Sequence, residues 1–238
     1  MEDRQRLKNQ MIFKRYEIKY LLTSEQRQYI QDAMKPYMKL DEFGHSIIRN
    51  IYFDTDNYRL VRPSIEKPVY KEKVRMRSYQ SAGENDSVFM ELKKKYQSVV
   101  YKRRIMLPQQ EGFQMVQHPE KVQADSQIKK EMMYFCEYYQ SLKPVVYLSY
   151  EREAYYSFDG SDFRVTFDEE ILSRTDRLFL DEDPGGCPLL EKGMSIMEIK
   201  TSGGMPMWMT QALTKMHLYK TSYSKYGTAY QKMMLSAS

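Results

Sequence analysis

Through much of this chain, polar and apolar residues exchange at every second position, the period of a β-strand. Tyr70–Tyr79 shows it best: Lys71, Lys73, Arg75 and Arg77 share one parity, with Val74 and Met76 on the other. The same pattern predicts strands over Ile12–Leu22, Ser46–Phe53, Ser87–Tyr96, Val99–Leu107, Val145–Tyr156, Phe163–Ile171 and Ser195–Thr201. The turn residues of 81–86 join Tyr70–Tyr79 to Ser87–Tyr96 as a hairpin. Helical spacing is rarer. Thr23 and Gln26 form a Thr-x-x-Gln capping box that starts a helix to about Tyr37. Ile128, Met132, Met133, Phe135, Cys136 and Tyr139 set a helix within Asp125–Leu142, and a short helical turn is expected at Asn57–Pro63. Further helices are expected over Pro206–Tyr219 and Gly227–Leu235. Runs of strands with a few interposed helices specify an antiparallel α+β domain or barrel, not an alternating βαβ fold.

One parity of these strands is charged. Glu91-x-Lys93, Lys102-x-Arg104, Arg152, Arg164-x-Thr166-x-Asp168 and Glu198-x-Lys200 repeat the device of Lys71–Arg77. A strand sends alternate side chains to opposite faces, so each set stands in single file. The other parity (Met90/Leu92, Tyr101/Ile105, Phe163/Val165/Phe167, Met197/Ile199) is apolar. Two architectures satisfy this pattern: an open sheet with a charged solvent face, and a closed sheet with a charged interior whose apolar outside is covered by helices. Parity does not separate them. The amphipathic helices supply the cover that the second requires.

At 238 residues, with 42% hydrophobic content including 21 Tyr and 18 Met, the chain can bury one sizeable core. A single domain over 1–238 is expected, with a short polar segment at about 1–10. No apolar run reaches the roughly 18 residues of a membrane span, and charges interrupt the start where a secretory signal would be apolar. Cys136 and Cys187 are far apart and only three His are present. That argues against a zinc site or disulfide framework and fits a reducing, cytoplasmic setting. The net charge of +5 is unevenly spread: residues 67–104 carry +7 and the remainder −2. Basicity this local suits a cavity for a small polyanion better than diffuse nucleic-acid binding.

A file of cations has an energetic cost. Two like charges about 7 Å apart repel by roughly 2 kcal/mol at an effective dielectric near 20, so a basic interior needs carboxylates, water or a bound anion. Glu17, Glu91 and Glu198 each stand two residues before a lysine (Lys19, Lys93, Lys200). Carboxylates among phosphate-binding cations suit a hard divalent ion such as Mg²⁺ or Mn²⁺, with Lys and Arg neutralising the remaining phosphate charge. Phosphoryl transfer requires little beyond that positioning. There is no Walker A sequence and no GxGxxG, and His45, His118 and His217 are assigned no catalytic role.

In order along the chain, RYEIKYLL, IYFDTDNYRL, KVRMR, VFMELKKKY, VYKRRIML, YEREAYY, FRVTFDEEI, MEIKTSG and SKYGTAY resemble the VTC domain. This is the polyphosphate polymerase domain of the vacuolar transporter chaperone family, within the CYTH-like triphosphate tunnel metalloenzymes. The resemblance implies an antiparallel eight-stranded β-barrel, the triphosphate tunnel, with helices packed outside. It implies that Lys19, Arg75, Arg77, Lys93, Lys102, Arg152, Arg164 and Lys225 bind phosphate, with Lys200 and Ser224 as further matches. Glu198 is implied to hold Mn²⁺ or Mg²⁺, with Glu17 and Glu91 as further carboxylates. Ser222 and Tyr223 stand where the eukaryotic pattern has another lysine before Ser224-Lys225, and Glu17-x-Lys19 is shorter than the Glu-x-Glu-x-Lys of the wider superfamily.

The implied activity is transfer of the γ-phosphoryl of ATP to an inorganic polyphosphate chain. The alternatives are a tripolyphosphatase or nucleoside triphosphatase, and a non-catalytic module that binds polyphosphate or inositol phosphates. Nucleic acid is not an expected partner. The resemblance is to the compact stand-alone form without membrane helices, so association with the inner face of a membrane would go through an integral membrane partner.

Overall fold

The structure is a computed structural model describing residues 16–66, 69–96 and 99–236. The polar segment at 1–10 and the first residues of the expected Ile12–Leu22 strand lie outside the described residues. The strands are β1 (Tyr16–Leu22), β2 (Met38–Asp54), β3 (Tyr70–Ser78), β4 (Ser87–Tyr96), β5 (Val99–Pro108), β6 (Lys143–Ser157), β7 (Arg164–Arg174), β8 (Cys187–Pro188) and β9 (Ser195–Thr201). The helices are α1 (Ser24–Met34), α2 (Arg62–Glu66), α3 (Gln109–Gln117), α4 (Gln127–Tyr139), α5 (Met207–Lys215) and α6 (Lys225–Ser236).

All strand pairs are antiparallel, in the order β1-β9-β7-β6-β2-β3-β4-β5, with the two-residue β8 on β7. The sheet curls far enough for side chains from near its two edges to touch. Lys93 on β4 donates to Glu17 on β1 at 3.3 Å, although the strand order places them almost at opposite edges. The antiparallel tunnel-like fold is as expected, but the barrel is not closed: among the described residues no backbone ladder joins β1 to β5. Instead Thr221 pairs with the free edge of β1, its N–H donating to the Lys19 carbonyl at 2.7 Å. The chain then runs directly into α6.

Three apolar clusters hold this shape. On the outer face of β2–β5, Ile51, Phe53, Val74, Met76, Met90 and Leu92 pack under Met115 and Val116 of α3 and Met132, Phe135 and Cys136 of α4. Gly112 lets α3 sit close to this face, since a Cβ there would stand 2.4 Å from the Met76 sulfur and force that side chain to shift. On the outer face of β1, β9 and β7, Leu22, Val165, Phe167, Met197 and Ile199 meet Ile30 and Met34 of α1 and Met209, Ala212 and Leu213 of α5. The third cluster has the parity of the charged file: Ile48, Tyr52, Val146, Leu148, Tyr150 and Ile196 close one end of the interior around Tyr226 and Ala229 of α6. A bulge at Glu170, whose φ is 45°, shifts β7 by one residue so that Ile171 joins this cluster while Asp168 stays on the charged file.

The capping box forms as expected, with Gln26 N–H donating to Thr23 Oγ1 at 3.2 Å and Thr23 N–H to Gln26 Oε1 at 3.0 Å. The helix ends at Met34, short of the expected Tyr37, because Pro36 cannot continue it. Helix α3 follows Pro108 directly and was not foreseen. Strand β2 begins eight residues before the expected Ser46, across an irregularity between Leu40 and His45 where the alternation is broken.

Candidate active site

The interior is organised by four carboxylates, each shared among cations from several strands. Glu91, 2% exposed, accepts from Arg75 Nε at 2.9 Å and Nη2 at 2.8 Å through Oε2. Lys102 at 2.7 Å and Arg104 at 3.0 Å approach Oε1, and Arg77 lies 4.0 Å away. The register produces this directly, since Arg75, Glu91 and Arg104 face one another across β3, β4 and β5. Burial alone would raise the Glu91 pKa, but Arg75, Arg77 and Lys102 reverse the effect and hold it far below the usual carboxylate range.

Asp168 is fully buried and takes a two-point clasp from Arg152, Nε to Oδ1 at 2.5 Å and Nη2 to Oδ2 at 2.7 Å. Lys225, at the start of α6, donates to Oδ2 at 2.5 Å. Burial opposes ionisation of Asp168, and Arg152 and Lys225 outweigh it. The remaining two carboxylates form a pair. Glu198 on β9 receives Lys200 at 2.6 Å and Lys19 at 3.6 Å, while Glu17 on β1 receives Lys93 at 3.3 Å and Lys19 at 3.5 Å. For Glu17, burial and then repulsion from Glu198 raise the pKa, before Lys93, Lys19 and Lys200 bring it below its ordinary value. Lys19 thus stands between two mutually repelling carboxylates.

Polar groups absent from the sequence-derived set complete the lining. Arg77 donates to Asn50 Oδ1 at 2.9 Å and to the Tyr150 hydroxyl at 2.9 Å, and Arg75 donates to the Tyr52 hydroxyl at 2.7 Å. Burial raises the Tyr150 pKa, yet Arg77, Arg152 and Lys225 carry it down to about 8. Lys73 faces Lys93 in register and donates to Ser224 Oγ at 2.9 Å. Ser224 also caps α6, accepting from Gly227 N–H at 3.0 Å. Burial, then Lys19, Lys93, Lys71 and Arg75, push the Lys73 ammonium well below its ordinary pKa. Arg164 pairs in register with Lys200 and with Tyr156, and its guanidinium lies 4.5 Å over the Tyr156 ring.

The structure thus brings every sequence-derived site residue onto this one surface: Lys19, Arg75, Arg77, Lys93, Lys102, Arg152, Arg164, Lys200, Ser224, Lys225, Glu17, Glu91 and Glu198. Asp168, Lys73 and Arg104 were legible in the alternation without being singled out. Asn50, Tyr52 and Tyr150 gave no signal, since they share parity with apolar neighbours. The divalent-ion chemistry of the carboxylates divides them. Glu91 has both oxygens engaged by cations, and Asp168 is closed by three donor groups. Glu17 and Glu198 are also engaged at both oxygens, but by lysines alone, Lys93 and Lys200 beside the shared Lys19, so they are the pair whose partners are flexible ammonium groups that a divalent ion would displace.

A cationic tunnel built on an antiparallel sheet defines the class, and comparison with known families agrees. The family model described as "VTC domain" matches residues 14–234, and the chain belongs to that family. A search of curated protein sequences finds no match. Among solved structures, a Hippeastrum protein designated an adenylyl cyclase, with a dominant triphosphatase activity, is 16% identical with a TM-score of 0.52, over 91% of this chain and 95% of that one. A protein from Vibrio parahaemolyticus, also designated an adenylate cyclase, is 10% identical with a TM-score of 0.50, over 91% of this chain and 97% of that one. These structures share the fold.

Proposed function

We propose that this protein is a metal-dependent polyphosphate polymerase, transferring the γ-phosphoryl of ATP to an inorganic polyphosphate chain lying along the tunnel. The observation that carries this reading is the excess of inward cations over carboxylates. Lys73 and Arg164 have no carboxylate at ion-pair distance among the described residues. A linear polyanion supplies the missing charge, and its repeating oxygens suit a file of cations drawn from successive strands.

In this reading Arg75, Arg77, Lys93, Lys102, Arg152, Arg164, Lys200 and Lys225, with Lys19 and Ser224, grip phosphate oxygens. Glu91 and Asp168 fix the rotamers of the cations around them, so the guanidinium groups are positioned before substrate arrives. Glu198, with Glu17, would hold Mn²⁺ or Mg²⁺, which neutralises charge on the transferred group when bound. A terminal oxygen of the polyphosphate chain attacks the γ-phosphorus. A new P–O–P bond forms as the bond to the β-phosphate oxygen breaks, and ADP leaves. No serine or histidine nucleophile is involved. Among the described residues no helix is long and apolar enough to cross a membrane, and a membrane partner that accepts the product belongs to the same proposal.

Hydrolysis is the second reading, supported by the triphosphatase activity of the Hippeastrum neighbour. It uses the same cations with water as the attacking group. Incubation with ATP and Mn²⁺ or Mg²⁺, followed by gel electrophoresis, separates the readings. A ladder of long chains is expected. Orthophosphate without a ladder would select the hydrolase, and intact ATP beside tight tripolyphosphate binding would select a non-catalytic binding module.

A further inference from the structure

On β6 and β7 a patch of the outer face is acidic, with Glu151, Glu153 and Glu169 close together. On β7 and β6, Asp168 and Arg152 point into the tunnel while their neighbours Glu169 and Glu151 point away from it. Glu151 faces Glu169 in register, and His45 on β2 reaches across to Glu151 with Nε2 at 2.9 Å from Oε2. One ligand atom from each of His45, Glu151 and Glu169 can be chosen so that all three lie within 4.8 Å of one another. We propose that these three residues form a divalent-cation site on the exterior of the sheet, separate from the tunnel.

Charge, geometry and an adjoining cavity support the assignment. Glu153 and Glu169 share the single guanidinium of Arg27, at 3.1 Å to Glu153 and in direct contact with Glu169 Oε2. Among the described residues Glu151 has only the His45 imidazole as a partner, so the group as a whole is short of positive charge. Arg27 uses one oxygen of Glu169 and leaves the other for an ion. Ligand bonds of about 2.1 Å place the donor atoms of a tetrahedral ion about 3.4 Å apart. His45, Glu151 and Glu169 are all at least partly exposed, so small rotamer adjustments suffice. Of the three, Glu169 also borders a polar cavity of about 280 Å³, which Arg27, Glu170 and Ser195 line with it. Ser195 is 2% exposed and lines this cavity with a hydroxyl that has no hydrogen-bond partner among the described residues. A buried polar group left open in this way fits a cavity that holds coordinated solvent beside the ion.

One imidazole with two carboxylates suits a borderline first-row ion such as Zn²⁺ or Co²⁺ better than Mg²⁺ or Ca²⁺. Such an ion would tie β2, β6 and β7 together on the face behind Arg152 and Asp168. The test uses chelator-treated full-length protein with no nucleotide or phosphate, titrated with Zn²⁺ by calorimetry and with Co²⁺ by visible absorption. One Zn²⁺ per chain is expected at this site. Affinity should fall at least about tenfold in His45→Ala and Glu151→Gln, and stay unchanged in a variant of an exposed carboxylate outside both sites, Glu84→Gln. Zn²⁺ should raise the melting temperature of the wild type but not of His45→Ala, whose exposed side chain can be removed without loss of the fold. Absence of Zn²⁺ binding, or binding that is lost with Glu198→Gln but kept in His45→Ala, overturns the assignment. Because no turnover is read, the outcome is independent of whether the tunnel polymerises, hydrolyses or only binds.

Discussion

Replacing Glu91 by Gln keeps the side-chain shape and removes the charge on which Arg75, Lys102 and Arg104 converge. At about 4 Å and an effective dielectric near 20, each such contact has a gross attraction of about 4 kcal/mol. Desolvation cancels much of this, and removing one partner of a buried pair costs about 3–5 kcal/mol in practice. Lys102 and Arg104 are 45% and 33% exposed and screened by solvent, so most of the loss comes from Arg75 and the low end, about 3 kcal/mol, is expected. For a chain of this length that lowers the melting temperature by about 6–12 °C. The cations left behind still attract phosphate, so tripolyphosphate at 100 times its Kd should restore about 2.7 kcal/mol. The pH dependence follows from the depressed Glu91 pKa. Its stabilisation is complete above the ordinary carboxylate range and lost as pH falls through the folded value, so the variant should show a flatter acid limb. Differential scanning calorimetry with and without tripolyphosphate measures all three effects. A ligand-free melting temperature within 2 °C of wild type would refute the view that Glu91 neutralises this cluster.

Two other outcomes test the interior. Lys73 has a depressed pKa, so between that value and about 10.5 the unfolded chain holds a proton that the empty fold does not, and ligand-free stability should rise with pH across that window. Tripolyphosphate should restore the charge, so binding takes up a proton. Calorimetry in buffers of different ionisation enthalpy reads this uptake, and an equal buffer dependence in Lys73→Met would show that Lys73 is not its source. Glu198→Gln should lose metal-dependent turnover while keeping tripolyphosphate affinity within a few-fold, and full activity in that variant would remove Glu198 from the metal site.

Strand β3 and its partners were legible because the period of 2 is a local property: Lys73, Arg75 and Arg77 must share a face whatever surrounds them. The capping box at Thr23 and Gln26 was local in the same sense. Helix α3 was hidden, since Pro108 reads as a stop and Gly112 as a weak helix former, and its reason for being helical is the Met76 surface it covers. The start of β2 was hidden by the irregularity between Leu40 and His45. Alternation placed the charges in files, but it was silent on which side of the sheet was enclosed. The curl that brings Lys93 to Glu17, and the helices seated on Met76 and Phe167, settled that. Pairing was equally beyond the local pattern: Asp168 meets Lys225 from a helix that begins 57 residues later, and His45 meets Glu151 and Glu169 only through the register of β2, β6 and β7. Periodicity is set by backbone geometry within a few residues, whereas partnership and enclosure depend on contacts between distant segments, which exist only once the sheet has curled around its charged interior.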